Sequence, residues 1–393
     1  MRKPLSGKQR AAARSSVAEN RRPLAGVRVI EAGIALAGPF CGSLLADFGA
    51  EVIKVERPDG GDPARLLGPR AGDVPLWWGV AARDKRCVSL DLKNDTDRRR
   101  FLELVAGADI LVENYRPGVL ERLGLGWDVL SATHPGLISM SISGFGHTGP
   151  DAKRPGFGKI AEGLSGIVPL TGHPRETPLH VGFSLADTSA GLMGCMAVTM
   201  ALVARDRNGG RGTRIDVGLY EPLFRMAELQ LALLQTTGVA PSRSGSNDPY
   251  GWGAPPDGSG RRFVAVRAAD RTEWLVRVDA AAIPVLAALS GRRLAEADPA
   301  DADNRLREWC GGLAGDALGD CLRGAGIAVA PILDGLGIAH SPYLRARGDV
   351  VDTTDPVAGR LSVPSQVPHR EPRGGLCAFD AVPLGRDNRT VFD

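Results

Sequence analysis

The chain has 393 residues, which is enough for two domains that each bury a core of their own. Its 48 basic and 45 acidic side chains leave a formal net charge of +3, which excludes nucleic-acid binding driven by overall charge, so any anion site must be local. The 6 cysteines are scattered, with no Cys-x-x-Cys pair and no histidine at metal-ligand spacing, which predicts free thiols, a reducing cytoplasmic location and no metal. No apolar run approaches the ~20 residues of a membrane span, so no membrane association is expected.

The first part of the chain alternates strand patterns with helix patterns. Residues 1–22 are basic and lack a hydrophobic segment, which predicts a disordered tail rather than a secretory signal. A βαβ unit should follow, with a strand at 27–32, a helix at 40–48 and a second strand at 51–56. Further strands are predicted at 87–92, 109–113 and 137–143, with helices at 94–107 and 119–123 between them. The pattern indicates a doubly wound, mostly parallel, Rossmann-like α/β sheet.

Basic residues follow several of these predicted strands. Arg57, Arg116 and His147 each lie in a loop directly after a strand. Because the carboxyl ends of parallel strands meet at one edge of a sheet, these side chains are expected to collect there. They could be ordinary solvated loop residues, but arginine binds phosphate through two parallel hydrogen bonds, so the pattern also suits a ligand with several phosphates.

A single carboxylate stands where a short apolar run turns into a long apolar helix. Asp187 lies in the segment 182–191, and the helix is predicted to end near the Asn208-Gly209-Gly210 breaker. The position permits two interpretations. Asp187 is either a helix N-cap that accepts hydrogen bonds from the first backbone amides, or an ionised nucleophile held at the positive end of the helix dipole.

The remaining sequence predicts a second, smaller α+β domain. The large α/β domain should span 23–220 and be followed by a linker helix at 221–240. The small domain at 241–335 is expected to hold a strand at 262–267 and helical structure from Trp274 to about Gly326. The segment 336–393 is too short to fold alone and should return to pack on the large domain.

Several short motifs follow one another along the chain in a set order. They are Leu36-Ala37-Gly38-Pro39, the block at 45–56, Gly60-Gly61-Asp62, Lys85-Arg86 with Leu90-Asp91-Leu92-Lys93, Glu113-Asn114-Tyr115-Arg116-Pro117-Gly118, Gly149-Pro150, Ala186-Asp187 and Val329-Ala330-Pro331. In this order they resemble the family III CoA-transferases, which include formyl-CoA and carnitine CoA-transferases and α-methylacyl-CoA racemases. The similarity covers nearly the whole chain from residue 24 and is far more specific than any one motif.

The resemblance implies a CoA-transferase that forms an interlocked homodimer and has acyl-CoA and a carboxylic acid as substrates, with no tightly bound cofactor. It implies that Asp187 attacks the acyl-CoA thioester and becomes first a mixed anhydride and then an aspartyl thioester. The residues that match the family's CoA-binding positions are Ala37, Arg57, Arg86, Lys93, Asn114, Tyr115 and Arg122. Leu36, Phe157 and Gly158 match the substrate pocket, with the loop at 245–258 beside them.

The chain departs from the family's pattern at two adjacent positions. Racemases of the family carry a histidine followed by an acid where this chain has Phe157 and Gly158, and a two-base proton exchange without that histidine is disfavoured. Transferases commonly keep an acid at the position of Gly158, so acceptor handling should differ here. The alternatives to a CoA-transferase are a racemase or isomerase on the same fold, or a non-catalytic CoA-binding subunit.

Overall fold

The computed structural model describes residues 22–245, 261–295, 297–355, 358–369 and 379–393. The predicted basic tail up to residue 21, most of the loop at 245–258 and Cys377 lie outside these residues. The chain divides into two compact units. The first takes Met1–Ser165, Gly182–Met226 and Pro342–Asp393, and the second takes Gly166–Val181 and Ala227–Ser341.

The first unit is built on a parallel sheet of 6 strands. The strands of the described chain are β1 (Arg28–Glu31), β2 (Glu51–Glu56), β3 (Arg70–Ala71), β4 (Val74–Pro75), β5 (Lys85–Ser89), β6 (Ile110–Glu113), β7 (Ile138–Ser143), β8 (Thr213–Gly218), β9 (Arg262–Arg267), β10 (Glu273–Val278), β11 (Val329–Ile332), β12 (Val350–Asp355) and β13 (Gly359–Pro364). The large sheet has the order β5-β2-β1-β6-β7-β8. The chain therefore runs outward from β1 in one direction and then from β6 in the other, which makes the carboxyl ends of β1 and β6 the switch point where such folds bind ligands.

Helices connect these strands. They are α1 (Ala37–Asp47), α2 (Leu76–Ala81), α3 (Asp95–Ala106), α4 (Val119–Arg122), α5 (Trp127–Thr133), α6 (Gly158–Leu164), α7 (Leu185–Arg207), α8 (Glu221–Met226), α9 (Leu229–Thr237), α10 (Ala282–Ser290), α11 (Pro299–Cys310), α12 (Gly315–Gly324), α13 (Gly335–His340), α14 (Pro342–Arg347) and α15 (Asn388–Phe392). The predicted α/β class with a mainly parallel sheet is confirmed. In the central strand β6 every residue is buried, and its near-continuous apolar sequence Ile-Leu-Val made it predictable.

Small residues bring α7 close to α1. A Cβ atom on Gly191 would lie 2.8 Å from the carbonyl oxygen of Ala37 and 3.0 Å from the ring of Phe40, and one on Gly194 would lie 3.4 Å from Cys41 Sγ. Glycine at these positions lets the two helix backbones approach until they touch. The start of α7 is thereby fixed beside the start of α1.

The opposite face of α7 is apolar and exposed. Leu192, Met196, Met200 and Val203 are 54, 48, 60 and 48% exposed, and their spacing puts them on one face. With 23 residues, α7 is long and apolar enough to cross a membrane by length and composition, which corrects the expectation that no apolar run approaches that length. Core helices pass the same test, and the other face of α7 packs in the first unit.

The second unit has an antiparallel sheet of 3 strands with the order β11-β10-β9. Its core joins Val264 and Trp274 from the sheet to Leu286, Leu306 and Leu318 from α10, α11 and α12. The prediction of helix from Trp274 onward was wrong at its start, because residues 273–278 alternate buried and less buried side chains as a strand does. The linker helix predicted at 221–240 likewise consists of two helices, α8 and α9, rather than one.

Candidate active site

Asp187 is the third residue of α7. The N-cap is Ser184, so the helix begins two residues before Asp187 and the N-cap interpretation was wrong. The Asp187 carboxylate therefore lies within the first helical turn, where the positive end of the helix dipole stabilises negative charge. The residue is only partly exposed.

The backbone of Gly158 lies directly against this carboxylate. Oδ2 of Asp187 occupies the space that a Cβ atom on Gly158 would take. Burial raises the pKa of Asp187 to about 6, the charge of Glu162 raises it as well, and Lys159 lowers it. Asp187 is therefore a weakly hydrated carboxylate that is ionised at neutral pH and becomes protonated as the pH falls below about 6.

Lys159 and Glu162 belong to α6, the helix that starts at Gly158. Lys159 Nζ donates to both carboxylate oxygens of Glu162, at 3.0 and 2.9 Å, and to the carbonyl oxygen of Phe183 at 2.7 Å. Neither residue was predicted as part of the site, because α6 was not predicted. A Gly-Phe-Gly segment before a short apolar pattern was the only local signal, and it is weak.

The loop between β1 and α1 is held in a strained conformation at the switch point. Ala35 has φ of 61°, in the left-handed region that residues with a Cβ atom rarely adopt. Asn114 accepts from Ile34 N at 2.6 Å and donates to Ile34 O at 2.9 Å, while Asp62 accepts from Ala35 N at 2.9 Å. These contacts fix the backbone that leads into Ala37.

A buried ionic cluster contacts this loop and the first turn of α1. Lys54 is paired with Glu31 at 3.1 Å and with Asp62 at 2.6 Å, and Lys85 is paired with Glu31 at 2.6 Å. Lys54 also donates to Gly33 O, and Lys85 donates to Pro39 O at 2.7 Å. Because Lys54 binds a carbonyl group of the loop and Lys85 binds one in the first turn of α1, the cluster joins the sheet to the loop and to the start of the helix that follows it.

Several predicted CoA-binding residues meet at the same edge of the sheet. Arg57 and Tyr115 line a cavity of about 150 Å³, together with Ile34 and Asp62. Asn114, the residue before Tyr115, forms hydrogen bonds with the backbone N–H and carbonyl groups of Ile34 in the β1–α1 loop. Leu36 is the N-cap of α1 and Ala37 its first residue, so both lie at the end of this loop.

The other predicted residues lie elsewhere in the first unit. Arg86 is near the amino end of β5, where it is paired with Glu51 at 2.8 Å and donates to Thr390 O at 2.6 Å. Lys93 is exposed in the turn after β5, and Arg122 ends α4 with its guanidinium beside Gly118. Phe157 is exposed at the N-cap of α6, next to Gly158.

The basic residues expected at the strand ends form two groups rather than one. Arg57 lines the 150 Å³ cavity, whereas Arg116 and His147 line a separate small pocket with Glu113. His147 Nδ1 lies 2.8 Å from Arg214 Nη2, and His147 Nε2 lies 3.6 Å from Glu113 Oε1. In the described residues no group of three or more metal-ligating side chains lies together.

Comparison with known proteins gives consistent results. The sequence profile described as CoA-transferase family III matches residues 24–388. Succinyl-CoA–D-citramalate CoA-transferase of Chloroflexus aurantiacus is 36% identical over 379 residues, which cover 94% of this chain and 93% of that protein. The beta subunit of succinyl-CoA–L-malate CoA-transferase from the same organism is 41% identical over 301 residues, which cover 74% of this chain and 73% of that subunit.

A solved structure shows the same fold over nearly all of both chains. The crystal structure of a CaiB/BaiF family protein from Brucella suis matches with a TM-score of 0.81 at 29% identity, covering 94% of this chain and 98% of that chain. The predicted family and enzyme class are thus confirmed. The chain belongs to CoA-transferase family III and is a CoA-transferase, which exchanges CoA between an acyl-CoA donor and a carboxylic acid acceptor.

Proposed function

We propose that this CoA-transferase works through a covalent intermediate on Asp187. The observation that supports the proposal is the placement of its carboxylate, partly exposed in the first turn of α7 and in contact with the backbone of Gly158. A carboxylate there is a nucleophile with little hydration to lose and with a helix dipole to stabilise nearby negative charge.

The proposed reaction has four steps. An Asp187 oxygen attacks the thioester carbonyl, the C–S bond breaks, and CoA leaves as a thiolate while Asp187 becomes a mixed anhydride. The thiolate attacks the Asp187 carbonyl carbon and expels the first acid as a carboxylate, which leaves an aspartyl-CoA thioester. The acceptor carboxylate then displaces CoA to form a second anhydride. Thiolate attack on the acceptor's acyl carbon releases the new acyl-CoA and restores the Asp187 carboxylate.

CoA should bind along the edge of the sheet that leads to Ala37. Arg57 and Tyr115 share a cavity there, and Asn114 holds the adjoining loop. An exposed arginine beside a cavity suits a phosphate of CoA. Lys93, Arg122 and Arg86 are further proposed contacts that rest on the resemblance alone, and Arg86 would have to exchange its partner Glu51 for the ligand.

Dicarboxylic acids are the acceptor class that we propose, with Leu36, Phe157 and Gly158 lining the acyl side. The two relatives described above are named for citramalate and malate, both with succinyl-CoA as the other substrate. A racemase is disfavoured because Phe157 and Gly158 supply no second base beside Asp187.

We also propose that two copies of this chain form the family's interlocked homodimer. The exposed stripe of Leu192, Met196, Met200 and Val203 on α7 is the kind of continuous apolar surface that monomers rarely keep in water. One relative is named as a beta subunit, so a heteromer with a second, similar chain is the alternative. The described cysteines are all free, which suits a cytoplasmic enzyme.

Trapping the intermediate tests the proposed chemistry. The enzyme is incubated with succinyl-CoA and then with hydroxylamine, and peptide mass spectrometry is expected to find a hydroxamate on Asp187. The Asp187→Ala variant should lose activity by about 10³-fold or more. Asp206→Ala, which removes an exposed carboxylate from the same helix, should retain activity. Full transfer activity in Asp187→Ala would refute the mechanism, and CoA binding without adduct or exchange would favour a non-catalytic subunit.

A further inference from the structure

We propose that Lys159 and Glu162 of α6 are positioning residues for Asp187 in the transfer reaction. The pair would tie the start of α7 to α6 and would set the charge that surrounds the reacting carboxylate. The inference rests on the proposed covalent role of Asp187. It identifies two residues that act through Asp187 and need not touch the substrate.

The Lys159–Glu162 pair is anchored to the residues that precede α7. Glu162 is 1% exposed, and both of its carboxylate oxygens accept from Lys159 Nζ. The same ammonium group donates to the carbonyl oxygen of Phe183 at 2.7 Å. Phe183 directly precedes Ser184, the N-cap of α7. Lys159 therefore links α6 to Phe183, which lies one residue before the N-cap of α7, and so helps to fix the position of Asp187.

A partly buried charged pair stabilises a purely structural link between two helices poorly. Burying a carboxylate costs several kcal/mol unless a partner compensates it, and apolar residues of similar size often stabilise a fold at least as well. The Lys159 side chain is 39% exposed, whereas the Glu162 side chain is 1% exposed and its charge acts on Asp187. A buried carboxylate is thus kept near the proposed nucleophile, where its charge has an effect.

Position 158 leaves no room for a side chain next to Asp187. A residue with a Cβ atom at this position would collide with Asp187, so an acidic side chain cannot be placed there without moving the nucleophile. Gly158 and Glu162 are four residues apart on α6 and so lie on the same face of the helix. Glu162 supplies a carboxylate from one turn further along, at a distance that leaves Asp187 in place.

The charges that act on Asp187 have opposite signs. Glu162 raises the pKa of Asp187 and Lys159 lowers it. Among the neighbours of α7, α1 presents Cys41, a thiol that burial keeps neutral by raising its pKa, and β7 carries no ionisable side chain.

On β8 and α8, the carboxylates of Asp216 and Glu221 accept from the backbone N–H groups of His147 and Gly218. These carboxylates therefore have partners of their own. The α6 pair is the charged feature that should control the ionisation of Asp187.

The experiment compares the wild-type full-length enzyme with a single and a double variant over a range of pH. Glu162→Gln removes the negative charge but keeps an oxygen that can accept from Lys159, and Lys159→Met is then added to this variant. For each form, the acid limb of kcat/KM and the titration of Asp187, followed by NMR with ¹³C-labelled aspartate, are measured. Glu103→Gln, an exposed carboxylate on α3, is the matched control.

We expect Glu162→Gln to shift the Asp187 midpoint to lower pH by about one unit, because a nearby like charge is removed. Adding Lys159→Met should move the midpoint back to higher pH, because a nearby positive charge is then lost. Glu103→Gln should keep the wild-type midpoint. The inference is overturned if both α6 variants keep the wild-type midpoint, even if they lose stability, because the pair would then be structural only. Failure of the covalent mechanism is recognised separately, by the lack of a trapped adduct in the wild-type enzyme.

Discussion

The Asp187 carboxylate occupies the space in which a side chain on Gly158 would begin. The two residues come from different helices, since Gly158 starts α6 and Asp187 lies in the first turn of α7. Glycine at position 158 is therefore a requirement of this arrangement. Any side chain at this position, an acid included, would require a different placement of the Asp187 carboxylate.

Substitution of Gly158 by alanine should damage catalysis more than stability. The added methyl group must displace the Asp187 carboxylate, and a shift of about 1 Å in a reacting group can reduce the rate by about 10²-fold. Steady-state kinetics and thermal unfolding of Gly158→Ala would measure both effects. Gly163→Ala is the matched control, because Gly163 is on the same helix and no atom lies within 4 Å of its added Cβ atom. Equal kcat/KM in the two variants would contradict the close contact.

The activity should depend on pH through Asp187 itself. Its folded-state pKa is raised to about 6, mainly by burial, and only the ionised form can attack a thioester. The rate of adduct formation should therefore be constant well above pH 6 and should fall about tenfold per unit well below it. Single-turnover trapping with succinyl-CoA across the pH range checks this. A rate that stays constant down to about pH 4, the ordinary aspartate range, would show that burial does not control the nucleophile.

Some of this arrangement was predictable from the sequence and some was not. Residues 51–56 were predicted as a strand and form β2, because a short apolar run closed by turn residues has few alternatives. The basic loop at Arg57 and the Asn114-Tyr115 pair follow from where strands end. The contact between Gly158 and Asp187 could not be predicted, because it depends on how α6 meets α7 across 29 residues of sequence. The effect of Glu162 on Asp187 depends on the same contact between α6 and α7, so it could not be predicted either.

A charged residue in the apolar stripe of α7 should break the proposed dimer. Met200 is 60% exposed, and glutamate at this position would place an unpaired charge inside any interface formed by the stripe. Met200→Glu should therefore shift the molecular mass in solution, measured by light scattering, toward that of one chain. Val129→Glu alters a lone exposed apolar residue on α5 and should not change the mass. A wild-type protein that is already monomeric would refute the proposal.

Removal of the Lys54 charge should lower the unfolding free energy of the protein, because Lys54 balances the buried ionic cluster beside the β1–α1 loop. Burial alone would lower the pKa of Lys54, but Glu31 and Asp62 raise it above its ordinary value, so the lysine stays charged. Lys54→Met leaves two buried carboxylates without this partner, which should cost about 3–5 kcal/mol of unfolding free energy. Chemical denaturation measures this loss, with Lys153→Met, an exposed lysine, as the control. A loss similar to that of the control would show that Lys85 alone balances Glu31.

Glu113 should make the fold less stable as the pH rises. Burial raises its pKa to about 7, against lowering by Ser141 and by the backbone N–H of Tyr115. The folded protein therefore holds this proton more tightly than the unfolded chain does, and the associated stability is complete at acid pH and is lost as the pH rises through about 7. The loss on going from about pH 5 to about pH 8.5 should be of the order of 2–3 kcal/mol.

The difference between the wild-type protein and Glu113→Gln isolates this effect from other titrating groups. His147 faces Glu113 from 3.6 Å, and burial lowers its pKa, so its own contribution to stability runs in the opposite direction with pH. Both proteins contain His147, and its direct contribution therefore cancels in the difference. The stability of Glu113→Gln relative to the wild type, measured from denaturant midpoints at several pH values, should increase as the pH rises. A constant difference would mean that Glu113 is already ionised at acid pH and that its charge is balanced by Arg214.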